Sequence, residues 1–398
     1  MEKTDIVIVG GGIVGLATAH QLLGQQPNLQ VTVVEKEEAV AVHQTGHNSG
    51  VLHSGIYYKP GSRKAKLATS GRDAMVRFCE QNDIAHDVCG KVIVATKDLD
   101  LPRLDILEER AAANGVSARR ITAGELREME PNAAGTAALH VPAAGITDYG
   151  QVCRSMEKNI AKLGGTVRTG TEVTSIKEGS TVRVSTTRGE IEASLVVTCG
   201  GLHSDRLALQ TAPETTERIM PFRGEYYELA PDRRHLVNNL IYPVPDPDFP
   251  FLGVHLTRMI DGSIHAGPNA VLALAREGYT WGDINLKDLS EVLRNPGWWR
   301  LARTYWKTGM GEYYRSLSKK AFVKALQELV PAVQVEDLVA SPAGVRAQAV
   351  SREGSLLDDF VWSETDRVVN VLNAPSPAAT ASLAIGDTIV ERLLTHQL

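Results

Sequence analysis

The chain has 398 residues, 43% of them hydrophobic and 22% charged, with a formal net charge of −5. This composition excludes disordered, collagen-like and low-complexity proteins, and the length predicts two or three domains. The acidic excess disfavours nucleic acid as a main partner, because proteins that coat phosphate backbones are usually basic. Four cysteines without C-x-x-C or zinc-ligand spacing indicate reduced thiols and a cytoplasmic protein. No apolar run reaches the ~18 residues that would span a bilayer.

The first 35 residues predict a βαβ unit. Residues 5–9 form a β-branched run typical of a buried parallel strand, 14–23 a helix and 31–35 a second strand. Glycines and histidines recur through residues 43–61, which indicates a long functional loop. The next predicted elements are helices at 73–83, 101–114 and 153–163 and strands at 167–168, 182–186 and 191–199.

The second half of the chain predicts a different architecture. Alternating segments rich in Tyr, Val and Ile predict an antiparallel sheet at 221–265, with a turn at 243–250. The remaining predicted elements are an aromatic-rich helical stretch at 286–330, an extended segment at 344–350, a strand at 368–372 and a terminal helix near 377–394.

These elements predict a mixed α/β and α+β fold. We expect a discontinuous Rossmann-like nucleotide-binding domain, with an inserted substrate or cap domain built on a largely antiparallel sheet. The expected boundaries are 1–80, 145–215 and 340–398 for the nucleotide-binding domain, and 81–144 and 216–339 for the cap domain.

A dinucleotide fingerprint lies in the βαβ unit. Gly10-x-Gly12-x-x-Gly15 follows the first strand, and Glu35 closes the second. The glycines permit a tight turn, close approach of the pyrophosphate and packing of the helix on the sheet, and the acid accepts hydrogen bonds from ribose hydroxyls. Residues 195–201 form another apolar strand that enters a glycine turn, either beside the cofactor or as a purely structural turn. A glycine-rich turn without a ligand is the alternative, and the fingerprint leaves FAD and NAD open.

A resemblance to a known family decides between these cofactors. Residues His43-Gln-Thr-Gly-His-Asn-Ser-Gly-Val-Leu-His-Ser-Gly-Ile-Tyr-Tyr58 resemble a motif of the L-2-hydroxyglutarate dehydrogenases, FAD-dependent proteins related to D-amino-acid oxidase. Further matches lie, in family order, at 221–226, 251–258, 344–348 and 373–379. The resemblance implies a tightly bound FAD and oxidation of L-2-hydroxyglutarate to 2-oxoglutarate, with hydride passing from C2 to flavin N5 and electrons to a quinone, oxygen or another acceptor. An amine or amino-acid oxidase of the same fold, producing hydrogen peroxide, is the alternative.

The fingerprint and the resemblance together indicate which residues contact FAD. The resemblance also implies that the N-terminus of the terminal helix lies near the flavin pyrimidine ring, where a helix dipole stabilises negative charge; an ordinary helix initiated by proline is the alternative. The predicted FAD contacts are Gly10, Gly12, Ile13, Val14, Gly15, Glu35, Lys36, Gln44, Thr45, His47, Asn48, Ser49, Val51, Val173, Gly200, Gly201, Gly344, Arg346, Asn373, Pro375, Ser376, Pro377, Ala378 and Ala379.

Two histidines within the matching motifs are candidates for the catalytic base. Removing the hydroxyl proton of a 2-hydroxy acid needs a base that titrates near the working pH, and histidine suits this role. We expect His255 to be the base, with His53 as the second candidate; either can instead be a structural histidine. His43 and His47 have the spacing of a helical metal pair, but the neighbouring glycines disfavour a helix, so we predict no metal site.

A dicarboxylate substrate requires cations or hydrogen-bond donors in a partly dry pocket. Arg223, Arg258 and Arg346 lie in the matching motifs, and an arginine fork suits a carboxylate. Arginines exposed to solvent are the alternative. The predicted hydroxyl donors to the substrate are Tyr57, Tyr58, Thr257 and Ser376.

Residues 298–322 combine aromatic and basic side chains. Trp298, Trp299, Trp306 and four further aromatic residues alternate with arginines and lysines. Such a mixture predicts a helical surface that lies in a membrane interface and brings the protein to a lipid-soluble quinone. The alternative is a helix pair packed on the inserted sheet. The predicted location is therefore cytoplasmic, with possible peripheral contact to the membrane.

Overall fold

The computed structural model describes residues 2–246 and 252–395; Phe251 and part of the predicted turn at 243–250 lie outside them. The strands are β1 (Glu2–Val9), β2 (Val31–Val34), β3 (Val51–Leu52), β4 (His86–Asp87), β5 (Lys91–Ala95), β6 (Arg119–Thr122), β7 (Ala137–Val141), β8 (Gly145–Thr147), β9 (Thr166–Arg168), β10 (Val173–Glu178), β11 (Val182–Thr186), β12 (Gly189–Thr198), β13 (Arg218–Leu229), β14 (Leu240–Pro243), β15 (His255–Arg258), β16 (Ile264–Gly267), β17 (Val271–Leu272), β18 (Leu338–Val350), β19 (Val361–Glu364) and β20 (Val368–Asn373). The α-helices are α1 (Ile13–Gln25), α2 (Arg63–Gln81), α3 (Asp100–Ala113), α4 (Ala123–Met129), α5 (Tyr149–Lys162), α6 (Ser204–Ala208), α7 (Leu286–Arg294), α8 (Pro296–Leu317), α9 (Lys319–Gln327) and α10 (Ser382–Leu393).

The first sheet is parallel at its centre. β1 lies between β2 and β12, β12 also pairs with β20, and β10 and β11 form an antiparallel hairpin beside β12. The central strands are buried on both faces, which explains their nearly continuous Val and Ile sequences. Helices α1, α5 and α10 cover one face, and the hairpin covers the other. The carboxyl ends of β1, β2 and β12 therefore meet at one edge, at Gly10, Glu35 and Cys199.

The second sheet is largely antiparallel, as predicted, although β14 and β5 pair in parallel. Its strands follow the order β17-β13-β16-β15-β14-β5-β7-β6, with β18 beside β13. One face packs on α9 through residues such as Val92, Ile241 and Leu256. The other face presents Ile93 and Tyr242 to the segment around β3, a short strand of a third sheet with the order β3-β8-β4. The predicted mixed fold is thus confirmed. The two units are the first sheet with α1, α5 and α10, and the second sheet with α9; this second face of the second sheet is turned toward the first unit.

Helix α2 begins ten residues before its predicted start. The Ser62 hydroxyl accepts a hydrogen bond from the Ala65 amide (3.1 Å) and caps the helix at Arg63. Gly71 lies inside this helix at a close contact, because a Cβ there would be 2.6 Å from the Ala381 Cα. The glycine lets α2 approach the turn before α10.

A buried ion pair joins the loop after β17 to α6. Arg276 donates to both carboxylate oxygens of Asp205 (2.5 and 2.9 Å), and both side chains are buried. Asp205 also accepts a hydrogen bond from the Ile219 amide at the start of β13 (3.0 Å). This bidentate pair fixes the position of the second sheet relative to the segment that follows β12.

Candidate active site

The glycine loop between β1 and α1 is packed so closely that only glycine fits at two positions. Gly10 has a φ of +113°, and a Cβ there would lie 2.4 Å from the Cys199 carbonyl oxygen. A Cβ on Gly15 would lie 2.1 Å from the Gly10 carbonyl oxygen. Helix α1 starts at Ile13, and its cap residue Gly12 offers no side-chain acceptor. No cap side chain therefore competes with a phosphate for the first N–H groups of the helix.

Glu35 lies at the end of β2, beside this loop. Its buried carboxylate accepts hydrogen bonds from the amides of Gly11 (2.6 Å) and Glu37 (2.9 Å). Each carboxylate oxygen keeps a further lone pair that can accept from a ribose hydroxyl. The Thr171 amide donates to the Glu35 carbonyl (2.7 Å), which brings the start of β10 and Val173 to the same edge of the sheet.

The loop after β2 connects the glycine loop to the second sheet. The Thr45 hydroxyl accepts from the Ile13 amide (3.1 Å), and the Gln44 side-chain oxygen accepts from the Ala347 amide in β18 (2.9 Å). Asn48 holds the loop in shape through hydrogen bonds to its own backbone. These three predicted FAD residues therefore lie between the two units.

Other predicted FAD residues pack closely around this loop. The His47 ring lies on Tyr279, with the centroids 4.4 Å apart. A Cβ on Gly344 would be 2.4 Å from the His47 carbonyl oxygen, so β18 can approach the loop only with glycine at this position. Gly201 has a φ of +52° in the turn after β12. Four more predicted FAD residues are neighbours of these loops in the sequence: Val14, Ser49, Val51 and Gly200.

Lys36 has acidic partners in the structure. Its ammonium pairs with Glu277 (2.8 Å) and Glu37. His43 also contacts Glu37 (2.9 Å), so its ring lies in the same cluster of charged groups. Two carboxylates and an imidazole converge here, and the Lys36 ammonium is already the cation that pairs with both carboxylates.

His255 lies in the space between the two units. It is 6% exposed, and its ring packs on Tyr242 of β14 with the centroids 4.0 Å apart. Its Nδ1 is 2.9 Å from the Gly253 carbonyl oxygen, which can only accept; the proton is therefore on Nδ1, and Nε2 is an acceptor. Burial lowers the pKa of His255 to about 3, assisted by the Arg346 and Lys91 cations and opposed by the Gly253 hydrogen bond. The imidazole is consequently neutral at neutral pH.

His53, directly after β3, faces the same space. Its amide donates to the Thr380 hydroxyl (3.1 Å), and its Nδ1 has no hydrogen-bond partner within residues 2–246 and 252–395. Burial, together with the neighbouring Lys91, His255 and Lys64, lowers the pKa of His53 to about 3. The structure therefore brings both candidate bases together beside the same lysine.

Arg346 and the predicted hydroxyl donors lie around these histidines. Arg346 is near enough to His255 and Tyr226 to affect the pKa of each. Thr257 is buried on the same face of β15 as His255. Tyr58 hydrogen bonds with Ser376, and burial raises its pKa. Burial likewise raises the pKa of Tyr57.

Arg223 and Arg258 point away from the histidines. Arg223 pairs with Val345 across β13 and β18, so its side chain lies on the face opposite that of Arg346 and stacks over Trp281 (4.1 Å). Arg258 lies on the face of β15 opposite that of His255 and pairs with Asp87 (2.5 Å). The alternating faces of the strands separate both arginines from the predicted pocket.

Two buried lysines near the histidines were missed by the sequence prediction. Lys91 begins β5 and is 1% exposed, with its ammonium over the rings of Tyr57 (4.4 Å) and Tyr242 (4.7 Å). Lys64 in α2 is also buried, pairs with Asp358 (2.8 Å) and lies over a tyrosine ring. The only sequence signal for Lys91 is its position before the run Val-Ile-Val-Ala, where a lysine is normally interpreted as the exposed end of a strand.

The segment 373–381 has two features that the sequence did not predict. The Asn373 amide donates to the carbonyls of Leu357 and Asp359 (2.9 Å each) and accepts from the Ala349 amide (3.2 Å), so this side chain has a structural role. Helix α10 begins at Ser382, five residues later than predicted, because the preceding residues form hydrogen-bonded turns. The predicted FAD residues within these turns are Pro375, Ser376, Pro377, Ala378 and Ala379.

The aromatic residues of α8 are divided between two faces. Trp298 and Tyr305 pack on the hydrophobic cluster that contains Phe222 of β13, which confirms that this segment packs on the inserted sheet. The opposite face exposes a stripe of apolar residues at helical spacing, 57–74% exposed. The members of this outward stripe are Trp299, Trp306, Met310, Tyr314 and Leu317.

Residues 5–392 match the family model described as FAD dependent oxidoreductase, DAO. The chain belongs to this FAD-dependent oxidoreductase family. Within the family it is 51% identical to L-2-hydroxyglutarate dehydrogenase from Indibacter alkaliphilus, over 97% of this chain and 98% of the relative. It is 48% identical to the protein of the same name from Escherichia coli K12 (98% and 93%) and 45% identical to the mitochondrial protein from Homo sapiens (98% and 88%).

Solved structures show the same fold. The FAD oxidoreductase described here superposes on an L-alpha-glycerophosphate oxidase from Mycoplasma pneumoniae with FAD bound, with a TM-score of 0.82 and 23% identity over 100% of this chain and 96% of that one. For a glycine oxidase from Geobacillus kaustophilus the TM-score is 0.74 and the identity 18%, over 100% of this chain and 96% of that one. The predicted FAD cofactor is confirmed by the family, and the close-packed glycines, the glycine cap of α1 and Glu35 fit its dinucleotide part.

Proposed function

We propose that this oxidoreductase converts L-2-hydroxyglutarate to 2-oxoglutarate. The supporting observation is the set of basic groups that face the space between the two units. A dicarboxylate complements their charge, and the relatives at 45–51% identity are named for the same activity. FAD, when bound, supplies the acceptor for the hydride that leaves the substrate. The basic groups of the set are Lys64, Lys91, Arg346, His53 and His255.

His255 is our candidate for the base that takes the hydroxyl proton. The Gly253 carbonyl fixes the proton of the neutral ring on Nδ1, so Nε2 carries a lone pair that can accept a proton. A dianion beside the ring offsets the surrounding cations and raises the pKa of His255 from about 3 toward the working pH. His53 is the second candidate, since its Nδ1 is buried without a partner in the described part of the chain.

The carboxylates of the substrate need donors close to these histidines. Arg346 is the arginine that we include in the binding site, with Tyr57, Tyr58 and Thr257 as hydroxyl donors. Arg223 and Arg258 are left out, because one stacks on Trp281 and the other pairs with Asp87.

Anaerobic reduction of the bound flavin tests the substrate. We expect L-2-hydroxyglutarate to bleach the visible flavin absorbance rapidly, and the D-enantiomer, glycine and sarcosine to leave it unchanged. Bleaching by glycine or sarcosine but not by the hydroxy acid would reject this proposal in favour of an amine oxidase. Product analysis for 2-oxoglutarate completes the test.

We further propose that the electrons pass to a membrane quinone and that the outward stripe of α8 contacts lipid. Exposed tryptophans with the basic residues Arg303 and Lys307 beside them suit the interface of an anionic bilayer. None of the helices in the described ranges is both long and apolar enough to traverse a bilayer. Contact through one helical face is the form of association that these features support.

A further inference from the structure

Lys91 is a buried cation without a counter-charge. Its side chain is 1% exposed, and its ammonium has no hydrogen-bond partner within the residues that the structure describes. Burying an ammonium is costly unless it is paired and hydrogen bonded. The protein therefore keeps at this position an ammonium whose charge no acidic side chain of the described residues compensates.

The groups around Lys91 attract its ammonium but do not neutralise it. Two aromatic faces hold the ammonium, with the centroids of Tyr57 and Tyr242 at 4.4 and 4.7 Å, and such faces attract a cation without neutralising it. The titratable groups that face it from the neighbouring elements are these two tyrosines and the neutral His53 and His255. No acidic side chain of residues 2–246 and 252–395 forms an ion pair with it.

The register of the second sheet directs Lys91 to the candidate base. Residues alternate between the two faces along β5, so Lys91 shares its face with Ile93, which packs in the same cluster as Tyr242. Tyr242 in turn stacks on His255. Lys91 and His255 thus line one wall of the same space.

We infer that the ammonium of Lys91 binds one of the two carboxylates of the substrate. The inference rests on the proposed function, because it takes the substrate to be a 2-hydroxy dicarboxylate. The tyrosine rings exclude water from the ion pair, which strengthens it relative to a pair in solution. Arg346, which lies close to His255, is the cation that we assign to the other carboxylate.

Binding of the substrate through Lys91 should depend on pH. Burial lowers the pKa of Lys91 to about 7, so the free protein loses this charge above pH 7. A bound carboxylate favours the charged form and raises the pKa again, so that binding above pH 7 takes up a proton. The KM for the dianion should therefore increase above pH 7, by up to about tenfold per pH unit.

The test compares K91M and K91R with the wild-type holoenzyme. We expect K91M to bind FAD and to show a KM for L-2-hydroxyglutarate about 100-fold higher, with a much smaller change in kcat, because a buried charge pair is lost. The rise of KM above pH 7 should disappear in K91M and also in K91R, whose charge does not titrate in this range. K319M is the matched control, since Lys319 lies on α9, against the other face of the sheet, and already donates to the Leu338 carbonyl (2.7 Å).

A second measurement needs no variant. Calorimetry of 2-oxoglutarate binding to the wild-type holoenzyme at pH 8, in two buffers of different ionisation enthalpy, should show uptake of nearly one proton. A K91M enzyme with an unchanged KM, or binding without proton uptake, would overturn the inference while leaving the proposed function intact. Absence of turnover of L-2-hydroxyglutarate by the wild-type enzyme would instead reject the substrate, and this inference with it.

Discussion

The rings of His255 and Tyr242 stack across the adjacent strands β15 and β14, with their centroids 4.0 Å apart. Together with the hydrogen bond from Nδ1 to the Gly253 carbonyl, this stack leaves the imidazole one orientation and one tautomer. A base that is held before the substrate arrives pays no cost of reorganisation during the reaction.

Replacing His255 by glutamine should therefore affect the chemical step. We expect H255Q to retain FAD and to lower the rate of anaerobic flavin reduction by about 10²–10⁴-fold, the usual contribution of a positioned base. H53Q is the matched comparison, because His53 lies in the same space and has a pKa lowered in the same way. A large loss of rate in H53Q alone would reassign the base.

The lowered pKa of His255 also predicts how stability depends on pH. In the folded protein the pKa of His255 is about 3, whereas an unburied histidine has a pKa of 6.5, so the unfolded chain binds more protons between these values. Stability due to this group is present above pH 6.5 and is lost as the pH falls toward 3, by about 2 kcal/mol between pH 7 and pH 5. In urea unfolding, the loss of stability between pH 7 and pH 5 should be about 2 kcal/mol smaller in H255Q than in the wild type. H235Q, which changes an exposed histidine, should keep the wild-type pH dependence.

Two glycines of α1, Gly15 and Gly24, should differ in whether they tolerate a side chain. In G15A the added Cβ would meet the Gly10 carbonyl oxygen at 2.1 Å, and backbone must move to relieve the contact. We expect this variant to purify with little FAD, measured as the ratio of flavin to protein absorbance. In G24A the Cβ meets nothing within 4 Å, so FAD content should be normal and stability should change by no more than about 1 kcal/mol. Equal FAD content in the two variants would contradict the proposed role of the loop.

The sequence predicted the dinucleotide loop well because the information there is local. Gly10, Gly15 and Glu35 belong to one βαβ unit, whose spacing determines their positions. The pocket depends instead on which face of a strand each residue occupies and on partners far along the chain. Arg258 was expected in the pocket but pairs with Asp87, 171 residues away, and Lys91 was missed because β5 itself was not predicted. Periodicity in a single segment does not specify such contacts.

The buried ion pair between Arg276 and Asp205 should matter greatly for stability. R276M leaves an unpaired carboxylate in the interior, which we expect to cost about 3–5 kcal/mol in the free energy of unfolding. The control is R188M, since Arg188 forms an exposed pair with Glu38 at 3.9 Å, and its loss should cost no more than about 1 kcal/mol. Urea unfolding of the holoenzymes provides the measurement, and similar values for both variants would show that the buried pair has no special role.

The outward stripe of α8 gives the final prediction, on membrane contact. The wild-type protein should float with vesicles of phosphatidylglycerol and phosphatidylcholine at low salt, and the W299S/W306S/M310S variant should remain in the aqueous fraction, because interfacial binding scales with the apolar area that is buried. L99S/I106S removes two exposed apolar residues outside α8 and should float like the wild type.

Turnover with a soluble dye should be equal in all three proteins, since the stripe faces away from the histidines. Turnover with a lipid-embedded quinone should fall only in the α8 variant. Full recovery of the wild type in the aqueous fraction would end the proposal, and a dimer lost only in the α8 variant would identify the stripe as a contact between two copies of the chain.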